Sequence, residues 1–97
     1  MKSIFIAFDQ AHREAIIEAL DRSNCRGFTS FGTVQGRGSV NGEPHYGSHA
    51  WPSLGGAILV VAHDDRVSGL LARLRAINEA KPRLGLRAFV WTVEDSI

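Results

Sequence analysis

The fold is decided by residues 57–77, which read AILVVAHDDRVSGLLARLRAI. Residues 57–62 form a short apolar run that follows two glycines and precedes His63, which is typical of a buried strand. The apolar residues that follow recur at intervals of three, four, seven and ten positions, and this period predicts an amphipathic helix. Asp64 or Asp65 can cap the start of the helix, and Pro82 ends it. The helix's apolar residues are Val67, Leu70, Leu71, Leu74 and Ile77.

The beginning of the chain repeats this strand-then-helix pattern. Residues 3–8 (SIFIAF) are predicted to form a strand, and Asp9 can cap the helix after it. Gly27 marks the exit from that helix, whose apolar face consists of Ala15, Ile16, Ala19 and Leu20. Aromatic and β-branched residues predict two more strands, at residues 28–34 (FTSFGTV) and 87–93 (RAFVWTV).

The order of these elements is strand, helix, strand, loop, strand, helix, strand. Two split βαβ units with right-handed crossovers give a ferredoxin-like α+β fold, in which two helices cover one face of a four-stranded antiparallel sheet. The 97 residues suffice for a single domain, residues 1–97. The segment at about 36–56 is rich in glycine, holds two of the three prolines and is predicted to be a flexible loop.

Composition excludes several classes of protein. The formal net charge is +1 and there is no basic run with interleaved aromatic residues, so we expect no nucleic-acid binding. The single cysteine, Cys25, excludes a disulfide within the chain, and we expect it to be a half-buried structural thiol. The apolar stretch near the N-terminus is too short for a signal peptide or a membrane span, so a cytoplasmic location is expected.

Both faces of the predicted sheet are apolar. Phe5 and Ala7 alternate with Ile4, Ile6 and Phe8, and the strands at 57–62 and 87–93 alternate in the same way. Two helices cover only one face, and an open apolar face of this size is unusual on a soluble monomer. We therefore expect a homo-oligomer whose sheets pack against each other. The alternative is that the loop folds back over the open face.

Gly36-Arg37-Gly38 follows the second predicted strand. Two glycines around an arginine let the backbone approach an anion, with amide and guanidinium groups as donors. The segment is neither a Walker loop nor a dinucleotide fingerprint, because the required helix does not follow it. The alternative is an ordinary glycine-rich hairpin end.

Several motifs carry a resemblance to the PII signalling family. Gly27-Phe28-Thr29 and residues 33–38 (TVQGRG) resemble its GMT strand start and its VKGFG segment. Residues 59–61 (LVV), followed by Asp64 and Asp65, are similar to its third strand and second helix, and RAF at 87–89 stands at the spacing of its GKIF strand. The ending VED at 93–95 is similar to its VEE, so the resemblance extends over nearly the whole chain.

The resemblance to PII-like (nitrogen regulatory) proteins implies a homotrimer that binds adenine nucleotides in clefts between subunits. It also implies a mobile effector arm after the second strand, called the T-loop, which is short here. A membrane transporter or an efflux system is the partner that divergent relatives suggest. By position, Gly36 and Gly38 would approach phosphates with Arg37 between them, and Arg87 would replace a phosphate-binding lysine. Thr29 would lie near the base, and Asp64 near the cleft wall.

The chain departs from the family in its phosphate loop. Residues 80–86 (AKPRLGL) stand where the family has TGxxGDG, so one glycine remains, and Lys81 and Arg83 add positive charge. The chain therefore resembles a divergent PII-like protein.

Histidines in the loop suggest an alternative function as a metal-binding or metal-responsive PII-like module. His45 and His49 lie four positions apart, and imidazole binds zinc, copper or nickel, with Glu43 as a further donor. The alternative is that these histidines, like most pairs of histidines in loops, are solvated or capped by the backbone. His12 and His63 are predicted to be polar surface residues.

We expect no enzymatic activity. Ser48 and His49 are adjacent, which does not orient one side chain onto the other, and neighbouring Glu94 and Asp95 point to opposite faces of a strand. The function that the sequence favours is a regulator that senses a small ligand and controls a partner through its loop.

Overall fold

A computed structural model describes residues 1–37, 44–45 and 54–97, and for residues 37 and 44–45 it describes the backbone alone. Two 3-10 turns lie at Gln10–His12 and Pro82–Leu84. The strands and helices are, in chain order, β1 (Lys2–Asp9), α1 (Arg13–Arg22), β2 (Phe28–Val34), β3 (Gly36–Arg37), β4 (Pro44–His45), β5 (Gly55–Ala62), α2 (Asp64–Ala80) and β6 (Leu86–Thr92).

The four long strands form one sheet in the order β2-β5-β1-β6, and every neighbouring pair is antiparallel. The first helix connects β1 to β2 and the second connects β5 to β6, so each helix crosses over a strand that lies between the two it joins. Both helices pack on the same face and contribute to one core. The predicted ferredoxin-like fold is confirmed.

The core lies between the helices and the even-numbered residues of β1 and β5. Ile4 pairs with Val60, and Ile6 with Ile58, so these side chains meet across the two central strands. Fully burying one such aliphatic side chain stabilises the fold by about 1.5–3 kcal/mol. The largest side chains with almost no exposed surface are Ile4, Ile6, Ile16, Leu20, Ile58, Val60, Leu70 and Leu74.

The ends of the helices differ in detail from the prediction. Asp9 does cap the chain after β1, since its Oδ1 accepts from the backbone N–H of Ala11 at 2.8 Å, but it caps a 3-10 turn that precedes α1. Asn24, with φ of 58°, makes the turn after α1, whereas Gly27 was predicted to do so. His63 occupies the N-cap position of α2. Asp64 and Asp65 instead lie in its first turn, where the helix dipole favours negative charge.

Two residues near the start of α1 are placed differently from their prediction. Ala15 is exposed, although it was assigned to the apolar face. His12 is buried, although it was predicted to lie on the surface. His12 belongs to the 3-10 turn, which has three residues per turn, and so the helical period of α1 does not apply to its position. His63 is exposed as predicted.

The predicted loop contains some regular structure. Gly36 pairs with His45, and Arg37 with Pro44, so β3 and β4 form a small two-stranded ladder. β5 begins at Gly55, two residues earlier than predicted, and β6 begins at Leu86, one residue earlier. Leu86 is therefore a core residue that the sequence did not indicate. Residues 38–43 and 46–53 lie outside the described residues, so the prediction of flexibility stays a prediction.

Within the described part of the chain, neither helix is long and apolar enough to cross a membrane.

Gly56 permits a close approach between layers. A Cβ built on Gly56 would lie 2.5 Å from Nη2 of Arg13 and 2.6 Å from the Phe8 ring. We expect Gly56→Ala to destabilise the protein by about 1–3 kcal/mol, because the added methyl group displaces both side chains. Urea denaturation measures this change.

The matched control is Gly69→Ala in α2, where a Cβ would meet nothing within 4 Å. Because alanine is the better helix former, this control should gain about 0.5–1 kcal/mol. Equal stabilities for Gly56→Ala and the wild type would contradict the close packing.

His12 makes stability depend on pH. Burial lowers the pKa of His12 below its ordinary value of 6.5, a nearby Lys81 adds to the lowering, and Asp9 opposes both. The unfolded chain therefore binds the proton more readily, so the stabilisation is fully present above about pH 6.5 and is lost as pH falls. We expect the urea concentration at the unfolding midpoint to decrease when the pH is lowered from 7.5 to 5.5. The decrease should be smaller in His12→Gln. The exposed His63→Gln control should keep the wild-type slope, and the same slope in all three proteins would refute this account.

Candidate ligand-binding depression

The face of the sheet that the helices leave open carries large apolar side chains. Exposed fractions are 58% for Phe89, 52% for Phe31, 49% for Trp91 and 44% for Val61. Phe31 also packs against Phe5, with ring centroids 6.4 Å apart and a tilted geometry. The described part of the chain therefore presents the apolar open face that the strand alternation predicts.

One end of this open face contains a depression of about 430 Å³. It lies beside the last residues of β1, the first residues of β5 and the start of β6. Its lining combines apolar side chains, glycines and one arginine, and comprises Phe5, Ala7, Phe8, Phe31, Val34, Gln35, Gly36, Gly55, Gly56, Ala57, Gly85 and Arg87.

A β-bulge in β2 shapes this lining. Ser30 pairs with Ile58 and Thr33 with Gly56, so β2 has one residue more than β5 over this interval. Gly32 adopts φ of 73° inside the bulge, a conformation that glycine reaches without strain. The extra residue reverses the alternation of the strand, so that Val34, paired with Gly55, contributes to the depression.

Gly36 and Arg87 both line the depression, as the resemblance implied for a phosphate site. Arg87 is exposed, and its Nη1 donates to the neighbouring Leu86 carbonyl at 3.3 Å, so that with respect to the described residues most of its donors are free for a ligand. A Cβ on Gly36 would meet no atom of the described residues within 4 Å, so they leave the space above its backbone open. This arrangement can bind an anion between a backbone segment and a guanidinium group.

Thr29 and Asp64 lie elsewhere. Thr29 is on the edge strand β2, level with Leu59, and does not line the depression. Asp64 follows β5 at the opposite end of the sheet. Its Oδ1 lies 2.9 Å from the amino group of Met1, and this hydrogen bond holds the pKa of the Asp64 carboxyl below its ordinary value. Within the described residues, Gly36 and Arg87 therefore lie at one end of the sheet and Asp64 at the other.

A second hollow, of about 220 Å³, lies at the Asp64 end of the sheet. Its lining includes the basic side chains of Arg26 and Arg66, next to Gly27 and His63. Cys25 also lines it but is itself buried, and burial raises the pKa of its thiol, which makes it a poor nucleophile. Sequence reasoning missed the basic lining because Arg26 and Arg66 are distant in the sequence and meet only across the fold.

The side chains of the remaining predicted ligand-binding and metal-binding residues are not described by the structure. Arg37 and His45 are described by their backbone alone, and Gly38 and His49 lie outside the described residues. Among the described residues, no three side chains of His, Cys, Asp or Glu are grouped so that they could hold a metal ion. The metal site at His45 and His49 stays a prediction.

Sequence reasoning also missed several residues that line the depression. Phe31 lies in β2 and Gly85 in the turn before β6, and both reach the site through the tertiary fold. The adjacent glycines Gly55 and Gly56 were a visible signal, since paired glycines often mark a close approach of backbone to another group.

The chain was compared with known proteins. No protein-family model and no curated protein matches it. Solved structures of CPII, a nitrogen regulatory PII-like protein from Thiomonas intermedia K12, do match. The form bound to ADP and bicarbonate is 28% identical with a TM-score of 0.70, covering 93% of this chain and 82% of that chain. The apo form is 26% identical with a TM-score of 0.66, covering 93% and 85%.

A PII-like signalling protein from Thermus thermophilus matches as well, at 21% identity and a TM-score of 0.68, over 95% of this chain and 85% of that chain. At that level of identity the match concerns the fold. The resemblance that the sequence motifs suggested is confirmed by these structures: the chain has the PII-like fold and is a divergent relative of the PII-like proteins.

Proposed function

We propose that this chain is a regulatory protein that binds an adenine nucleotide in clefts between copies of itself and signals the bound state to a partner protein. The observation that carries the proposal is the depression that Gly36 and Arg87 line, in a chain similar to CPII, which has been solved with ADP bound. The segment between β2 and β5 is the part that we propose the partner recognises.

The chemistry of the depression suits a nucleotide. Arg87 offers a planar fork of donors to phosphate oxygens, and the Gly36 backbone can approach them closely. Apolar side chains such as Phe31 and Val34 provide a surface for a base or a ribose. A volume of about 430 Å³ falls within the usual range for small-molecule sites.

A small oxyanion is a second ligand in this proposal. The CPII structures contain bicarbonate with ADP, or acetate with ADP and AMP. An anion of that size would add to the nucleotide's charge and would need donors beyond Arg87. Bicarbonate is the anion that we propose to test together with ADP.

The proposed clefts require an assembly of several copies, which we take to be a homotrimer. The depression and the second hollow lie at opposite ends of one sheet, whose central strands have eight residues each and span about 26 Å. A ligand that contacts both would have to lie between two copies. Packing the open faces together would bury Phe31, Phe89 and Trp91, a favourable change of about 25 cal/mol per Å² before association costs.

Regulation would follow from the loop between β2 and β5. A ligand changes the populations of two loop conformations only if it binds one of them more tightly. Gly36 both lines the depression and leads into that loop, so ligand contact and loop geometry are linked there. The partner that we propose is a membrane transporter or an efflux system.

Isothermal titration calorimetry tests nucleotide binding. We expect wild type to bind ADP and Arg87→Met to bind it at least about tenfold more weakly, because a charge-assisted hydrogen bond contributes about 1.5–3 kcal/mol. Arg73→Met, an exposed arginine on α2 away from the depression, is the control and should retain wild-type affinity. If wild type binds neither ADP, AMP nor ATP, with or without bicarbonate, the nucleotide proposal is discarded.

Analytical ultracentrifugation tests the assembly. We expect the wild type to sediment as a trimer and Trp91→Glu to sediment as a smaller species, because a buried charge would oppose packing of the open faces. Trp91 is 49% exposed in the single chain, so the substitution should leave the core intact. Ala76→Glu, on the exposed side of α2, should remain trimeric. If the wild type sediments as a monomer at micromolar concentration, clefts between copies do not form and the proposed assembly is rejected.

A further inference from the structure

Arg13, the first residue of α1, uses all three nitrogens of its guanidinium group inside the chain. Nε donates to Oε1 of Gln10 at 2.8 Å, Nη1 to Oγ of Ser30 at 2.9 Å, and Nη2 to the carbonyl oxygen of Gly32 at 2.8 Å. The guanidinium carbon also lies 5.2 Å from the centre of the Phe8 ring, within the range of a cation–π interaction. These bonds fix the side chain in one orientation.

Gln10 extends these contacts to β5. Its Nε2 lies 3.2 Å from Oγ1 of Thr33 and 3.3 Å from the carbonyl oxygen of Gly55. Its backbone N–H donates to the carbonyl oxygen of Leu54 at 2.8 Å. Gln10 and Arg13, here called the Gln10–Arg13 clamp, therefore bind the end of β2 and the start of β5 at the same time.

The clamp acts at the β2 bulge. The regular pairing of β2 with β5 is interrupted between Ser30 and Thr33, where the bulge leaves backbone groups without their usual partners on the neighbouring strand. The Gly32 carbonyl accepts from Arg13 instead. Side-chain bonds from the clamp thus replace part of the strand pairing and stabilise the bulge.

The clamp also contacts the wall of the depression. Phe8, Gly55 and Gly56 each line the depression and each lie against Gln10 or Arg13. Neither Gln10 nor Arg13 lines it. A change in the clamp would therefore move one wall of the depression relative to Arg87, without removing a group that touches the ligand.

We propose that Gln10 and Arg13 are positioning residues for the depression. They hold the bulged end of β2, and with it Val34 and Gly36, at a fixed distance from Arg87. At this distance Gly36 and Arg87 can both contact the phosphates of one nucleotide. This inference rests on the proposed nucleotide binding and assigns a role in it to two residues outside the site.

Affinities for ADP and AMP, measured by calorimetry, test the proposal. Arg13→Met keeps a side chain of similar length but removes all its donors, and we expect ADP affinity to fall at least about tenfold and AMP affinity to fall less. The affinity for ADP should fall more than that for AMP, because the second phosphate of ADP adds contacts that depend on the distance between the β2 wall and Arg87. Arg13→Lys retains the charge but lacks the planar fork, so it should not restore ADP affinity.

Arg22→Met is the matched control. Arg22 is exposed on the same helix and pairs with Glu18 at 2.9 Å, so its loss should leave both affinities unchanged. Gln10→Met is the second variant, in case Arg13→Met does not fold. It removes the contacts of Nε2 with Thr33 and Gly55, and we expect the same preferential loss of ADP binding.

The outcomes separate this inference from the proposed function. Absence of binding to wild type would reject the nucleotide proposal itself. If wild type binds and Arg13→Met and Gln10→Met bind equally well, the clamp does not position the site, and nucleotide binding stands. Equal losses for ADP and AMP that Arg13→Lys restores would indicate a general effect of charge and would also overturn the positioning role.

Discussion

Two helices cover one face of a four-stranded sheet, and the apolar side chains on its other face have no cover among the described residues of the same chain. This imbalance is the constraint on which the rest of the molecule depends. The side chains of β1 and β6 point to both faces in turn, and both sets are apolar. The first set forms the core with α1 and α2, while the second set, including Phe89 and Trp91, remains half exposed. The described part of one chain therefore buries its core but leaves an apolar face of the sheet exposed.

The depression exists because the sheet carries little side-chain volume at one end. Gly36, Gly55, Gly56 and Gly85 come from two strands and a turn, yet all of them line it. Because these glycines have no side chains, they leave space for the depression on the open face of the sheet. On the face covered by the helices, Phe8 and Arg13 can approach Gly56 closely. The same glycines that weaken the strand ends make the clamp necessary, because glycine contributes no packing of its own.

Much of this architecture follows from sequence patterns, and the exceptions have physical causes. Apolar periodicity predicted both helices, and short apolar runs together with aromatic and β-branched residues predicted the four long strands. Right-handed crossovers then predicted an antiparallel sheet with both helices on one face. The β2 bulge was not predictable from alternation, so Thr33 rather than Val34 would have been assigned to the open face. Burial of His12 was missed because a 3-10 turn precedes the helix. Gly36 and Arg87 were identified through the resemblance, and both line the depression, whereas Phe31 and Gly85 required the tertiary fold.

The depression at Arg87 and the basic hollow at Arg66 lie at opposite ends of one sheet, and for the proposed regulator this has a thermodynamic consequence. A ligand that contacts Arg87 of one copy and the basic hollow near Arg66 of another binds the assembly and not the single chain. Mass action then makes the ligand stabilise the assembly, by an amount that grows with its concentration relative to its dissociation constant. By the same linkage, burial of the open faces strengthens ligand binding. Assembly and sensing would thus be one equilibrium, driven by the apolar face that the helices leave open.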